Sequence, residues 1–378
     1  MLELHLLPAK QGDAIWVRWG TRKLTHQMLI DMGTPGVGAA LRERLAGRGV
    51  FEALVVTHID ADHIGGALSC LVDAKLDGVT FRDVWFNGLR HVRPDAPPSA
   101  ESFGGRQGLA LQRWLEGRAW NVAMDGGPVL RQPRPISLEG GMVVTVLGPT
   151  RQRLDELAPV WERELQQALA AGPEPTTVLV PPGLEAYGGR RAPRPPTLHS
   201  EADLRHLASG ATGSDRSRAN GSSIVLLLEH GEHTVLLAGD AYAQDLIDGI
   251  ASLGRRGPLR LNAFKLPHHG SQENMTKELL AAVRCPRFLF STDGTRFSHP
   301  DAAAVACVIA HARRRTPGEP VVLGFNCRSV FSEWWDNAAW QRVFRYRAEY
   351  GTDGLIVRLP VPARAARAVR GRADARPR

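Results

Sequence analysis

The apolar positions fall into short blocks with two different periods. Residues 2–7 (LELHLL), 14–19 (AIWVRW) and 26–30 (HQMLI) are compact apolar runs bounded by polar and glycine residues, and they predict three successive strands. Met32-Gly33-Thr34-Pro35-Gly36 reads as a turn, residues 38–46 have helical spacing, and 53–57 (ALVVT) is a short buried strand. Residues 58–63 then form a loop, and Ile64-Gly65-Gly66 opens a helix over 67–72. Further strands are predicted at 81–86, 142–147, 263–266, 288–291 and 321–325, and helices at 103–115, 154–170 and 301–314. Residues 223–228 and 234–238 flank Glu229-His230-Gly231-Glu232-His233 as a hairpin. Residues 172–220 are rich in Pro, Gly, Arg and Ser and read as a long surface insertion with one short helix at 201–207. Grouped strands with interspersed helices fit a layered α/β sandwich better than a regular βαβ alternation.

Composition adds little to this until its placement is considered. The chain has 378 residues, 43% hydrophobic and 23% charged, enough to bury a sizeable core. Its formal net charge is +8, but residues 361–378 hold six arginines against Asp374, which places +5 there and leaves +3 for the rest. The expected organisation is one domain over 1–360 and a basic, disordered tail over 361–378, with tethering to a polyanion as a second use of that tail. Cys70, Cys285, Cys307 and Cys327 show no zinc-ribbon spacing and are expected to be small buried hydrophobes in a reducing compartment. The N-terminus lacks the apolar stretch of a signal peptide, and no apolar run reaches the ~20 residues that span a bilayer, so a cytoplasmic location is expected.

The chemistry concentrates at strand ends. His58, Asp60, Asp62 and His63 place four metal-ligand side chains in six residues directly after a buried strand. Imidazole and carboxylate together suit zinc, manganese or iron. His58 and Asp60 can face one cation while Asp62 and His63 face another. Asp240 ends a later apolar strand, where a bridging ligand role explains a carboxylate, and His268-His269 end the next. Adjacent residues of an extended chain point oppositely, so one of this pair is expected as a ligand and the other as a substrate or outer contact. Asp31 closes an early strand and is expected to orient a ligand histidine.

In this order the residues resemble the metallo-β-lactamase superfamily, which has an acidic residue ending an early strand, an HxHxDH motif, a bridging Asp and a late His. More narrowly, the chain resembles the metallo-β-lactamase domain of ComEC-type DNA-uptake proteins through QGDAI (11–15), LID (29–31), THIDADHIGG (57–66), NGSS (220–223), LLAGDA (236–241), KLPHHGS (265–271) and SHP (298–300). The resemblance implies a four-layered αββα metallo-β-lactamase sandwich and two divalent metal ions, zinc or manganese. It implies His58, Asp60, Asp62, His63, Asp240 and His268 or His269 as metal ligands. The superfamily's middle histidine has no match; Asn220 or Ser222 is expected in its place, an oxygen-rich exchange that favours manganese.

The activity expected from this is metal-dependent hydrolysis, with a phosphodiester, nucleic acid included, as substrate. Paired cations lower the pKa of water from ~16 toward ~7. Asp62 is expected beside that water, and His299 and Lys265 as contacts to phosphate or leaving group. Asp13, in the turn after the first strand, is expected to support the pocket. Two alternatives stand beside this: hydrolysis of a carboxylic ester, thioester or lactam at the same metals, and a metal-binding sensor or partner-docking protein in which Trp334-Trp335 is an exposed anchor.

Overall fold

The computed structural model describes residues 1–21, 23–94, 106–170, 194–312 and 318–359. Two sheets face each other. The first has six strands in the order Leu355–Leu359, Leu2–Leu6, Ile15–Gly20, Thr25–Ile30, Ala53–Val55, Val84–Trp85. The second has eight, in the order Tyr346–Tyr350, Val321–Phe325, Arg287–Phe290, Ala263–Lys265, His233–Leu237, Val225–His230, Met142–Gly148, Ile136–Leu138.

Period-two alternation explains why the central strands of both sheets are apolar on both faces. Met28 and Ile30 point into the space between the sheets, where they meet Leu226, Leu228, Val235, Leu237 and Leu289. Their neighbour Leu29 points outward, under Leu41, Leu45, Ile64, Leu111 and Trp161 of the first helical layer. Leu227, Phe264 and Phe288 likewise point outward, under Leu246, Leu279 and Val305 of the second. Strands covered on both faces carry no polar stripe, and four layers, αββα, follow.

The strand positions expected from the sequence recur within a few residues. Three expectations need correction. First, the helix after the HxDxDH segment begins at Ala61, not at Ala67, and runs Ala61–Ala67 into a π-helical turn over Leu68–Val72, so the expected 67–72 segment is helical and Asp62 and His63 lie in the first turn. The Gly65-Gly66 pair does not open this helix but seats it: a Cβ on Gly66 would lie 1.8 Å from Met32 O, and one on Gly65 would lie 2.3 Å from Pro35 Cδ. Second, the described part of the 172–220 insertion lies largely at the surface, with the expected helix in it, but it is tied into the core. The helix Glu201–Ala208, capped by Ser200 and Asp203, buries Leu204 and Ala208 in the second outer core with Leu198. Third, Trp335 is fully buried in that same core, with Tyr346 edge-on at 6.3 Å, so the Trp334-Trp335 pair is no exposed anchor.

The strand Leu355–Leu359, not foreseen from the sequence, pairs antiparallel with Leu2–Leu6 in the register Leu4↔Val357. The basic tail 361–378 and residues 172–193 lie outside the described residues. Among the described residues no helix is long and apolar enough to cross a membrane.

Candidate metal centre

Five neighbouring strands end at one edge of the sandwich. Thr25–Ile30 runs into Asp31, Ala53–Val55 into Thr57 and His58, His233–Leu237 into Asp240, Ala263–Lys265 into His268-His269, and Arg287–Phe290 into Ser291. Parallel pairing within each sheet aligns these C-terminal ends. The backbone closes the two sheets together there, with Ile224 N–H donating to Thr57 O (3.0 Å), and within the first half Asp13 N–H donates to Asp62 O (3.2 Å). The latter approach requires Gly12, whose Cβ would lie 1.8 Å from Asp62 O.

Asp240 Oδ2 is the hub. Four imidazole Nε2 atoms surround it: His63 at 3.3 Å, His269 at 3.6 Å, His268 at 3.8 Å and His58 at 3.9 Å. Each ring is held from behind through Nδ1. His63 Nδ1 meets Asp31 Oδ2 (2.8 Å), His269 Nδ1 meets Ser291 O (2.9 Å), and His268 Nδ1 meets Asn274 Oδ1 (2.9 Å). His58 Nδ1 lies 3.0 Å from Thr57 Oγ1, whose own hydrogen goes to Asp31 Oδ2 (2.8 Å). All four Nδ1 atoms therefore face acceptors, which turns the four Nε2 atoms inward, where each neutral ring would present a lone pair to a cation.

The carboxylates divide these rings into two halves. Asp60 Oδ2 lies 3.5 Å from His58 Nε2, and Asp62 Oδ2 lies 3.4 Å from His269 Nε2. Ligand atoms of Asp13, His63, Asp240 and His269 lie within 4.8 Å of one another, close enough to hold one ion. Three buried atoms here have no hydrogen-bond partner among the described residues: His58 Nε2, Asp240 Oδ1 and Asp13 Oδ1. Buried acceptors without a partner are costly, and a cation beside them would remove that cost.

Charge points the same way. Asp13, Asp31, Asp62 and Asp240 are all buried, and one buried ammonium, Lys265, offsets Asp13. Without metal, the surplus falls on the histidines. Burial opposes protonation of His63, yet Asp240 and Asp31 raise its pKa well above the ordinary value. Burial also opposes protonation of His269, which Asp240 and Asp13 nevertheless raise to about 10. Burial works against ionised Asp62 as well, but His269 and His63 lower its pKa to about 2. Divalent cations would do the neutralising that these imidazolium protons do. The residues present thus fit divalent metal.

Several residues sit otherwise than the sequence led one to expect. His268 (φ 45°) and His269 (φ 55°) are both left-handed, not extended. Two such residues in succession turn the chain tightly, so alternation does not apply, and both rings reach Asp240. Lys265 is fully buried; its Nζ donates to Asp13 Oδ2 (2.6 Å) and Leu266 O (2.9 Å), so it anchors Asp13 and does not face a substrate. Ser222 Oγ is turned away, donating to Ala219 O (2.6 Å); its neighbour Ser223 lies at the site, 3.3 Å from His58 Nδ1, and accepts from Asp240 N–H (3.1 Å). Asn220 presents Nδ2 to Asp215 Oδ2 (2.8 Å), with His268 Nδ1 at 3.4 Å. His299 packs edge-on to His268 with ring centroids 5.2 Å apart, and its Nδ1 lies 3.3 Å from Asp301 Oδ2.

Thr57, Ser223, Asn274, Ser291 and Asp215 were not singled out from sequence. Thr57, Ser223 and Ser291 lie inside THIDADHIGG, inside NGSS and at the end of an expected strand, and Asn274 lies three residues after KLPHHGS, which was the available signal. Asp215 lies in the insertion and carried none.

The fold and donor set define an αββα protein with a His/Asp cluster able to hold divalent metal. No protein-family model matches the chain, and no curated protein matches it. Among solved structures it is similar to CmlA, a diiron β-hydroxylase from Streptomyces venezuelae (TM-score 0.41, 13% identity, 95% of this chain and 54% of that one). It thus spans about half the length of that protein. It is also similar to YhfI, a metallo-β-lactamase fold protein from Bacillus subtilis (0.39, 10%, 94% and 98%), and to Tm1679, a metal-dependent hydrolase of the β-lactamase superfamily (0.40, 11%, 96% and 100%).

Proposed function

We propose that this chain is a metal-dependent hydrolase of phosphodiesters, related in kind to the stand-alone form of the ComEC-type metallo-β-lactamase domain that its motifs resemble. One observation carries the metal-dependent part: four imidazole Nε2 atoms converge on one carboxylate oxygen, each ring held from behind. In this reading His58, Asp60 and His268 hold one divalent cation and Asp62, His63 and His269 the other, with Asp240 shared and Asp13 beside the second. Such cations, when bound, polarise a phosphoryl oxygen and make water a better nucleophile at neutral pH.

The chain's own residues do the rest. Asp31, Thr57, Asn274 and Ser291 keep the imidazoles in the tautomer that presents Nε2. Lys265 holds Asp13 ionised and in place. His299, on the His268 side of the cluster and only 8% exposed, is proposed to contact the phosphoryl or leaving oxygen.

The phosphodiester part is supported by the motif resemblance and by the carboxylates Asp60, Asp62 and Asp240, an oxygen-rich set that suits manganese. The +5 tail over 361–378 supports a polyanionic substrate. The test is turnover of bis-p-nitrophenyl phosphate and single-stranded DNA with added Mn²⁺, with DNA binding that weakens in salt and on deletion of the tail. Turnover of carboxylic esters, thioesters or lactams but of no phosphodiester would replace this reading with the second hydrolase class. Metal binding without any turnover would replace it with a sensor.

A further inference from the structure

Asp215 is a carboxylate with no place in the proposed chemistry, yet its side chain is only 6% exposed and sits behind the centre. Its segment is docked by Thr212 N–H to Gln272 O (2.9 Å) and Asp215 N–H to Glu273 O (3.0 Å). Asp215 Oδ2 accepts from Asn274 Nδ2 (2.7 Å) and Asn220 Nδ2 (2.8 Å), and Oδ1 accepts from Ser217 N–H (2.8 Å). Asn274 Nδ2 also lies 3.1 Å from Asp240 O and 3.3 Å from Ala241 O. Three acceptors around one amide nitrogen fix which way that amide faces, so Asn274 must turn Oδ1 to His268 Nδ1.

Asn220 is the competing group. Its Nδ2 lies 3.4 Å from the same His268 Nδ1. Asp215 takes one of its two amide hydrogens at 2.8 Å and holds the amide 3.4 Å from the ring, too far for the second hydrogen to make a strong bond there. Freed, the amide could donate to Nδ1, which would move the ring proton to Nε2, the atom meant for metal.

We infer that Asp215 is a positioning residue for His268: by engaging the amides of Asn274 and Asn220 together, it sets the ring tautomer that presents Nε2 to a cation. This rests on the metal centre proposed above. Asp215→Ala should weaken one of two Mn²⁺ sites by about 10–100-fold, the range for lost outer partners of a ligand histidine, and leave the other unchanged. Calorimetric Mn²⁺ titration reads this, with the melting temperature of metal-free protein as the check on folding. Asp215→Asn, closer in shape, should weaken the same site and serves where the alanine variant does not fold.

Adding Asn220→Ala to Asp215→Ala should recover part of the lost affinity, because the competing donor is gone. A merely structural role for Asp215 predicts further loss instead. Both Asp215 variants binding two cations as the wild type does, or a double variant weaker than the single, would overturn the inference alone. A wild-type chain that binds no Mn²⁺ would overturn the metal centre with it.

Discussion

Asp240 Oδ2 lies 3.3 Å from His63 Nε2, and His63 is held through Nδ1 by Asp31 at 2.8 Å. The imidazole is thereby clamped between two carboxylates that come from different sheets. Metal binding should therefore depend on Asp240 and His63 more than on any other pair. Replacing either by alanine removes a direct ligand, so loss of metal-dependent turnover should exceed the ~100-fold upper range for outer partners. Metal analysis after dialysis should show fewer bound ions. The far-ultraviolet circular dichroism should be unchanged, because neither side chain supports a core. Full activity in either variant would contradict the assignment.

The same crowding of buried carboxylates makes metal a stabiliser of the fold. A cation that binds the folded chain and not the unfolded one adds about 2.7 kcal/mol at a free concentration 100 times its Kd. Melting in Mn²⁺ or Zn²⁺ should occur at a higher temperature than in a chelator, and the shift should vanish in Asp240→Ala. An equal melting temperature with and without metal would remove the case for a cation-neutralised centre.

How far the sequence led can be seen residue by residue. The HxDxDH segment, Asp240 and the late histidines were legible because each is a polar cluster abutting an apolar strand, and the structure gathers them at one edge. Local pattern could not show that His268 and His269 share one turn, because positive φ at non-glycine residues is imposed by packing and not by propensity. Nor could it place Asp215, or show that the expected helix at 201–207 buries Leu204 and Ala208 in the core, since a Pro- and Gly-rich composition looks the same whether the segment packs or not. The strand Leu355–Leu359 was missed for a related reason: its partner, Leu2–Leu6, is the most distant segment in the chain.

Lys265 and Asp13 form a fully buried pair, Nζ to Oδ2 at 2.6 Å. Breaking one half should cost more than removing both. Lys265→Met leaves Asp13 without its cation, and about 3–5 kcal/mol of stability should be lost. In the double variant with Asp13→Asn much of that should return. Urea denaturation of the metal-free single and double variants measures the difference. If Lys265→Met were as stable as the wild type but bound phosphodiesters poorly, the lysine would be a substrate contact after all.

His91 carries a pH prediction remote from the metal centre. Its Nδ1 accepts from Gly88 N–H (3.2 Å) and its Nε2 lies 3.1 Å from Gly126 O, an arrangement that only the neutral ring satisfies. Burial, partly offset by Gly126 O, holds its pKa down to about 4 against an ordinary 6.5. As pH falls below 6.5 the unfolded chain takes up this proton and the folded chain does not. The contribution is thus complete above 6.5 and is lost on acidification toward 4, at about 1.4 kcal/mol per unit and about 3 kcal/mol in all. His91→Gln should remove this dependence: its stability relative to wild type should improve between about pH 7 and about pH 4.5, whatever it costs at neutrality. Urea titrations of both proteins at the two pH values decide it, and parallel losses in the two would show that His91 takes no part.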